Sequence, residues 1–207
     1  MRAGERIARP VAVFGGFVKA RAPLAAVLAA ALALGAIDTA SATTKNPVSD
    51  KDDSAGAVDL SSVRLTHDSS ANRLVFTFKT YQGFGPSALR NRDGAPGSIC
   101  VNIWTDRAPG EDPANYEACI TARPDKDYRG TINSVSASGS FKRVGSVEVE
   151  QRTTKRLVGR VCFTCIGSPR KFRWTAQATT FGKGCSSDRG CLDVVPAPPD
   201  AVETELR

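Results

Sequence analysis

Residues Ser98–Thr121, SICVNIWTDRAPGEDPANYEACIT, decide how the rest of the chain reads. Two half-alternating runs, Ile99–Trp104 and Tyr116–Thr121, flank a turn region, Asp106–Pro113, that holds Pro109, Gly110 and Pro113. Period-two alternation on both sides of a Gly- and Pro-containing stretch is the pattern of a β-hairpin with a long loop. Its midpoint falls between Pro109 and Gly110, and Cys100 and Cys119 stand at equal distances on either side. Equidistant residues of an antiparallel pair face one another on the same side of the sheet. A disulfide is therefore expected to staple the hairpin, worth about 3 kcal/mol by the loop-closure argument, less any strain. The same alternation puts Ile99, Val101 and Ile103 on one face and Cys100, Asn102 and Trp104 on the other.

Toward the N-terminus the alternation continues. Val58–Thr66 (VDLSSVRLT) is apolar at Val58 and Leu60, then at Val63 and Leu65, and the change of phase at Ser61-Ser62 predicts a bulge or bend. His67–Asn72 reads as a turn. Leu74, Phe76 and Phe78 then oppose Val75, Thr77 and Lys79, as in a half-buried strand, so the two runs make a second hairpin. Gly83–Gly97 is a Gly- and Pro-rich connection, with Phe84 and Leu89 expected to pin it to the core and Arg90, Arg92 and Asp93 to face water. Its length makes it a candidate binding edge.

Toward the C-terminus, Tyr128–Ser138, Val144–Arg152, Lys155–Cys162 and Lys171–Thr180 read as further strands. With no amphipathic helix and about eight strand-like runs, the class is all-β: a single antiparallel β-sandwich over residues 57–195. Residues 43–56 are polar and acidic and read as a flexible lead-in, and 196–207 (PAPPDAVETELR) read as a flexible, frayed tail. Asp50, Asp52 and Asp53 in the lead-in do not match the spacing of an EF-hand loop and read as solvated.

Residues 1–42 have the form of a secretory signal. A basic stretch with Arg2, Arg6, Arg9, Lys19 and Arg21 precedes an apolar run, Leu24–Ile37, and Ala40-Ser41-Ala42 fits the small-x-small cleavage pattern. The run is shorter than the roughly 20 residues a bilayer span needs. Cleavage is expected to leave Thr43 at the start of a secreted or extracytoplasmic protein with no membrane attachment. All six cysteines fall in that exported part, an even count that implies disulfides. Loss of the signal lowers the formal net charge from +7 to +4, since five Lys/Arg and two Asp/Glu leave with it. No clustered basic face remains to suggest a nucleic-acid partner.

Val58-Asp59-Leu60-Ser61-Ser62-Val63, Arg73-Leu74-Val75-Phe76-Thr77-Phe78 and Ile166–Trp174 (IGSPRKFRW) together resemble the strands of DOMON and family 9 carbohydrate-binding modules. They are similar as well to a group of secreted, uncharacterised bacterial β-sandwich proteins. The resemblance spans Val58 to about Thr180 and implies the sandwich fold. Some DOMON members hold haem through a methionine and a histidine, but Met1 is the one methionine here and is lost with the signal. No cofactor is therefore expected.

Catalytic patterns are missing. His67 is the only histidine, and no G-x-S-x-G, H-E-x-x-H or Walker A sequence occurs. Asp106, Glu111 and Asp112 could supply a glycosidase carboxylate pair, although acidic residues in such loops are usually only solvated. Cys162-Phe163-Thr164-Cys165 ends a strand rather than opening a helix, so a structural disulfide is the expectation, within the pair or exchanged with Cys185 and Cys191. Cys185 and Cys191 most simply clip a local loop. The chain thus reads as a non-enzymatic binding or surface-structural module. Its alternative reading is a carbohydrate-binding module, with a glycan or cell-envelope component as partner. Candidate contacts are Trp104, Asn102, Tyr116 and Asn115. Trp174 shares a face with Phe172 and Ala176 and reads as core. Trp104 is the better platform, with packing against the staple or a neighbouring strand as the competing expectation.

Overall fold

The computed structural model describes residues 47–206 apart from Arg92, Asp93, Glu111, Lys126, Lys183, Ser187 and Asp188. The expected signal segment, 1–42, lies outside the described residues. The strands in chain order are β1 (Val48–Ser49), β2 (Leu60–Asp68), β3 (Arg73–Thr80), β4 (Ser98–Trp104), β5 (Tyr116–Ala122) and β6 (Tyr128–Val135). They continue as β7 (Phe141–Gly145), β8 (Val147–Thr153), β9 (Arg156–Cys162), β10 (Lys171–Thr180), β11 (Cys191–Val195) and β12 (Val202–Glu205). All pairings are antiparallel. One sheet runs β1-β2-β3-β9-β8; the other runs β11-β10-β4-β5-β6-β7, with β12 also on β10. The chain is thus all-β, in two antiparallel sheets of five and seven strands.

The alternation explains the core. Leu60, Val63, Leu74, Phe76 and Phe78 from the five-stranded sheet are buried in one cluster with Ile99, Val101, Ile103, Ile120, Phe172 and Trp174 from the seven-stranded sheet. Phe76 meets Trp174 edge-on at 6.1 Å between ring centroids. Each such side chain contributes about 1.5–3 kcal/mol by leaving water. The two inward faces sharing one cluster is a sandwich-like arrangement.

The hairpin register expected from the sequence is present: Cys100 pairs with Cys119 and Val101 with Ala118. The two cysteines are bonded, as are Cys162 with Cys165 and Cys185 with Cys191. Three disulfides indicate an oxidising, extracytoplasmic setting. Among the described residues no helix is long and apolar enough to cross a membrane. The predicted bulge lies at Leu60/Ser62.

Twelve strands, not about eight, are found among the described residues, for two physical reasons. The run Val144–Arg152 is not one strand. The chain leaves the seven-stranded sheet at the end of β7 and enters the five-stranded sheet at β8, turning at Ser146. Glycine makes that corner: a Cβ on Gly130 would lie 2.2 Å from the Val147 carbonyl oxygen, and one on Gly145 would lie 2.7 Å from Ile132 Cγ2. The other extra strands are short edges in polar or Pro-rich segments. Val48–Ser49, within the expected flexible lead-in, pairs with Val63 and Ser62. In the expected frayed tail, 196–207, β12 pairs with the first half of β10, from Lys171↔Glu205 to Trp174↔Val202.

Phe84 and Leu89 pin the 83–97 connection as expected, at 7% and 0% exposure. Arg90, expected to face water, instead carries Nε and Nη2 buried without a hydrogen-bond partner.

Candidate binding surface on the seven-stranded sheet

Because Ile99, Val101 and Ile103 face the core, Cys100, Asn102 and Trp104 project from the outer face of the seven-stranded sheet. Register then builds polar rows across it. Thr175, Asn102, Glu117 and Asn133 lie side by side on β10, β4, β5 and β6. Gln177, Cys100, Cys119 and Thr131 form the next row. Asn102 Nδ2 donates to Gln177 Oε1 at 3.3 Å, linking the rows. Burial among these neighbours pushes the Glu117 carboxyl above its ordinary value. Glu117 also lies beside the sulfurs of Cys100 and Cys119, but those are joined to each other and offer no thiolate to a metal.

Trp104 stands at the end of this face opposite Arg173. It is half-buried, and its indole Nε1–H donates to the Asp112 carbonyl at 3.1 Å, which holds the ring against the hairpin loop. Between the loop and the start of β10 lies an open groove of about 380 Å³, lined by Trp104, Thr105, Asp106, Arg107, Lys171 and Arg173 among others. Lys171 and Arg173 both pair with Glu203 of β12, at 2.8 and 3.4 Å. Arg107 donates to the Val135 carbonyl at 2.9 Å, tying the loop to the end of β6. The groove therefore offers an aromatic surface beside a carboxylate and three cations, two of them braced by Glu203.

The four predicted contacts do not all converge there. Trp104 and Asn102 share the outer face. Tyr116 is opposite Ile103 and packs against the core, so its ring belongs to the other face. Asn115 braces the loop: its Oδ1 accepts the Thr105 N–H at 2.8 Å and its Nδ2 donates to the Asp106 carboxylate. Trp174 is core, 1% exposed, as its alternation implies. Lys171 and Arg173 were missed because only the β4–β10 register brings β10 beside Trp104, and Arg107 because its place depends on its bond to the Val135 carbonyl at the end of β6.

The catalytic candidates disperse. His67 lies within β2 rather than in a turn. Its ring centroid is 4.6 Å from that of Phe163, and its Nε2 is buried without a partner. Asp68 does not orient it: its Oδ1 accepts from Ser70 and from the Ala71 N–H, capping the turn. Of the three hairpin-loop acids, Asp106 is engaged by Asn115, Asp112 is exposed, and Glu111 lies outside the described residues. Of the lead-in aspartates, Asp52 and Asp53 are exposed, as their solvated reading expects, and Asp50 is half-buried; all three gather beside Asp59 and Asp193. No protein-family model, curated protein or solved structure matches this chain.

Proposed function

We propose that this chain is an exported, non-catalytic β-sandwich module that binds a glycan or cell-envelope component on the outer face of its seven-stranded sheet. The observation that carries this reading is the groove at Trp104. There, an indole held by its own N–H leaves part of its face beside Asp106, Arg107, Lys171 and Arg173. Aromatic faces cover the apolar side of a pyranose, and charged and amide groups at the rim take its hydroxyls, the usual division of labour in a concave polar site. Asn102 and Gln177 extend the polar surface along the sheet. The disulfides, the apolar stretch Leu24–Ile37 and the Ala40-Ser41-Ala42 pattern support export, with cleavage before Thr43. Likeness to DOMON and family 9 carbohydrate-binding modules extends, in this proposal, to the sandwich and the sugar class, with Trp104 in place of a cofactor site.

A glycan array probed with the purified protein tests the reading. Retention on one class of envelope or plant polysaccharide is expected, and Trp104→Ala should abolish it. An array without signal, or retention unchanged in Trp104→Ala, would remove this face as the binding surface.

A further inference from the structure

The chain carries a second polar cluster, on the side of the molecule where β2 begins and β11 lies. Asp50 is fixed by its backbone: its N–H donates to the Ser61 carbonyl at 3.1 Å and its carbonyl accepts the Tyr81 hydroxyl at 2.5 Å. Asp59, just before β2, is held by its carbonyl, which accepts the Tyr81 N–H at 3.0 Å. Asp193 is held by β11 pairing opposite Ala178, and its Oδ2 accepts the Leu60 N–H at 2.5 Å. Gly56 lets the intervening loop close in, since a Cβ there would fall 2.3 Å from Thr180 Oγ1 and 3.1 Å from Cys191 Cβ. Residues distant in the chain are thus brought rigidly to one place.

We propose that Asp50, Asp53 and Asp193, with the buried Asp59 and Asp52 beside them, form a calcium site that fastens the segment before β2 to β11. One carboxylate oxygen from each of Asp50, Asp53 and Asp193 lies within 4.8 Å of the others. Two oxygens sharing a calcium at about 2.4 Å sit no more than about 4.8 Å apart, and these three meet that condition. Asp59 supplies the independent observation. It is 0% exposed, and neither of its carboxylate oxygens has a hydrogen-bond partner. The groups acting on it at close range are the Asp52 carboxylate and the Ser54 amide, which falls short of hydrogen-bond geometry.

A buried carboxylate without donor or cation is costly to fold around. Among the described residues none of the five aspartates joins an ion pair, and the charged groups acting most strongly on Asp59 and Asp193 are other aspartates. Burial, then this like-charge crowding, raises the Asp59 carboxyl to about 6 and that of Asp193 to about 7. A divalent cation removes the conflict. All-oxygen donors with carboxylates in excess select a hard ion, and a cage drawn from loop and strand suits calcium's flexible coordination better than magnesium's octahedron. The indicated compartment is one where calcium modules work at weak affinity, roughly 0.1–1 mM.

Isothermal titration of the full chain, stripped with EDTA, with calcium chloride and separately with magnesium chloride tests the site. One calcium per chain is expected, with a higher melting temperature and little response to magnesium. Terbium should bind at the same place and luminesce on excitation of Tyr81, whose hydroxyl touches the Asp50 carbonyl, and calcium should quench the signal. Asp53→Asn, at an exposed position, should weaken calcium at least tenfold without lowering the melting temperature in EDTA. Asp59→Asn should melt above the wild type in EDTA and lose that lead in calcium. Absence of heat and of any melting shift up to about 10 mM calcium, tenfold above the weakest extracellular modules, would overturn the proposal. So would wild-type affinity in Asp53→Asn, or an Asp59→Asn lead that is the same with and without the ion.

Discussion

Thr204→Val tests whether the last residues are part of the sheet. Thr204 is 2% exposed on β12, and its Oγ1 accepts the Trp174 indole N–H at 3.1 Å. Valine has nearly the same shape and an equal liking for strands, so the change removes the acceptor and little else. The indole nitrogen, on a residue 1% exposed, would then be buried without a partner. Leaving a buried donor unsatisfied costs about 1–3 kcal/mol, and exchanging a buried hydroxyl for a methyl returns a fraction of that. A net loss of about 1–2 kcal/mol is expected, or roughly 2–8 °C in melting temperature for a domain of this size. Calorimetry and urea titration would read it. In a Trp174→Phe background the same substitution should cost almost nothing, and the double-mutant difference isolates the contact. A Thr204→Val protein that melts with the wild type in both backgrounds would mean that β12 does not hold Trp174, and the frayed-tail reading would stand.

Trp104→Ala should cost about 1–2 kcal/mol, less than the 3–5 kcal/mol of a fully buried aromatic, because the ring is half-buried; a denaturation curve giving the full core value would make Trp104 a packing residue. Replacing Cys100 and Cys119 together by serine should destabilise by roughly 2–5 kcal/mol, measured against the non-reduced wild type, and peptide mapping should return the pairs 100–119, 162–165 and 185–191. Glu117 has a folded carboxyl raised by burial above its ordinary 4.5, so the native state holds its proton longer than the unfolded chain does. Stability is then lost as pH rises through the window above that ordinary value, and Glu117→Gln should be more stable at neutral pH with a gain that fades toward pH 4. Urea midpoints differing by a constant amount across pH 4–8 would contradict this.

The sequence made some features plain because they are local. The symmetry of Cys100 and Cys119 about Pro109-Gly110 sets the β4–β5 register, and the period of Lys171–Thr180 separates Trp174 from the outer face. Other features were hidden because they depend on distant pairing. Val202–Glu205 carries no strand signal of its own beyond Val202 and Thr204, and it becomes a strand only because β10 extends past β11. The run Val144–Arg152 looked continuous because alternation does not record a change of sheet. Tyr116 was misplaced by chemistry, since an aromatic beside Asn115 suggests a platform while its register with Ile103 points it inward. Asp59 read as one polar residue at a strand entrance. Its significance comes from Asp193, which no local pattern connects to it.

β10 lends one of its edges to two partners, β11 along its second half and β12 along its first. Uncovered, that edge would be a ten-residue ladder of free N–H and C=O groups along KFRWTAQATT, a ready template for another chain. Covering it with two short strands replaces one long adhesive margin with two brief ones. Two other outermost strands are blunted by charge, with Lys142 and Arg143 on β7 and Glu148, Glu150 and Arg152 on β8. A chain clipped after Asp200 would reopen the Lys171–Trp174 portion of the ladder. Its expected fate is edge-to-edge self-association, with the loss of solubility preceding the loss of fold.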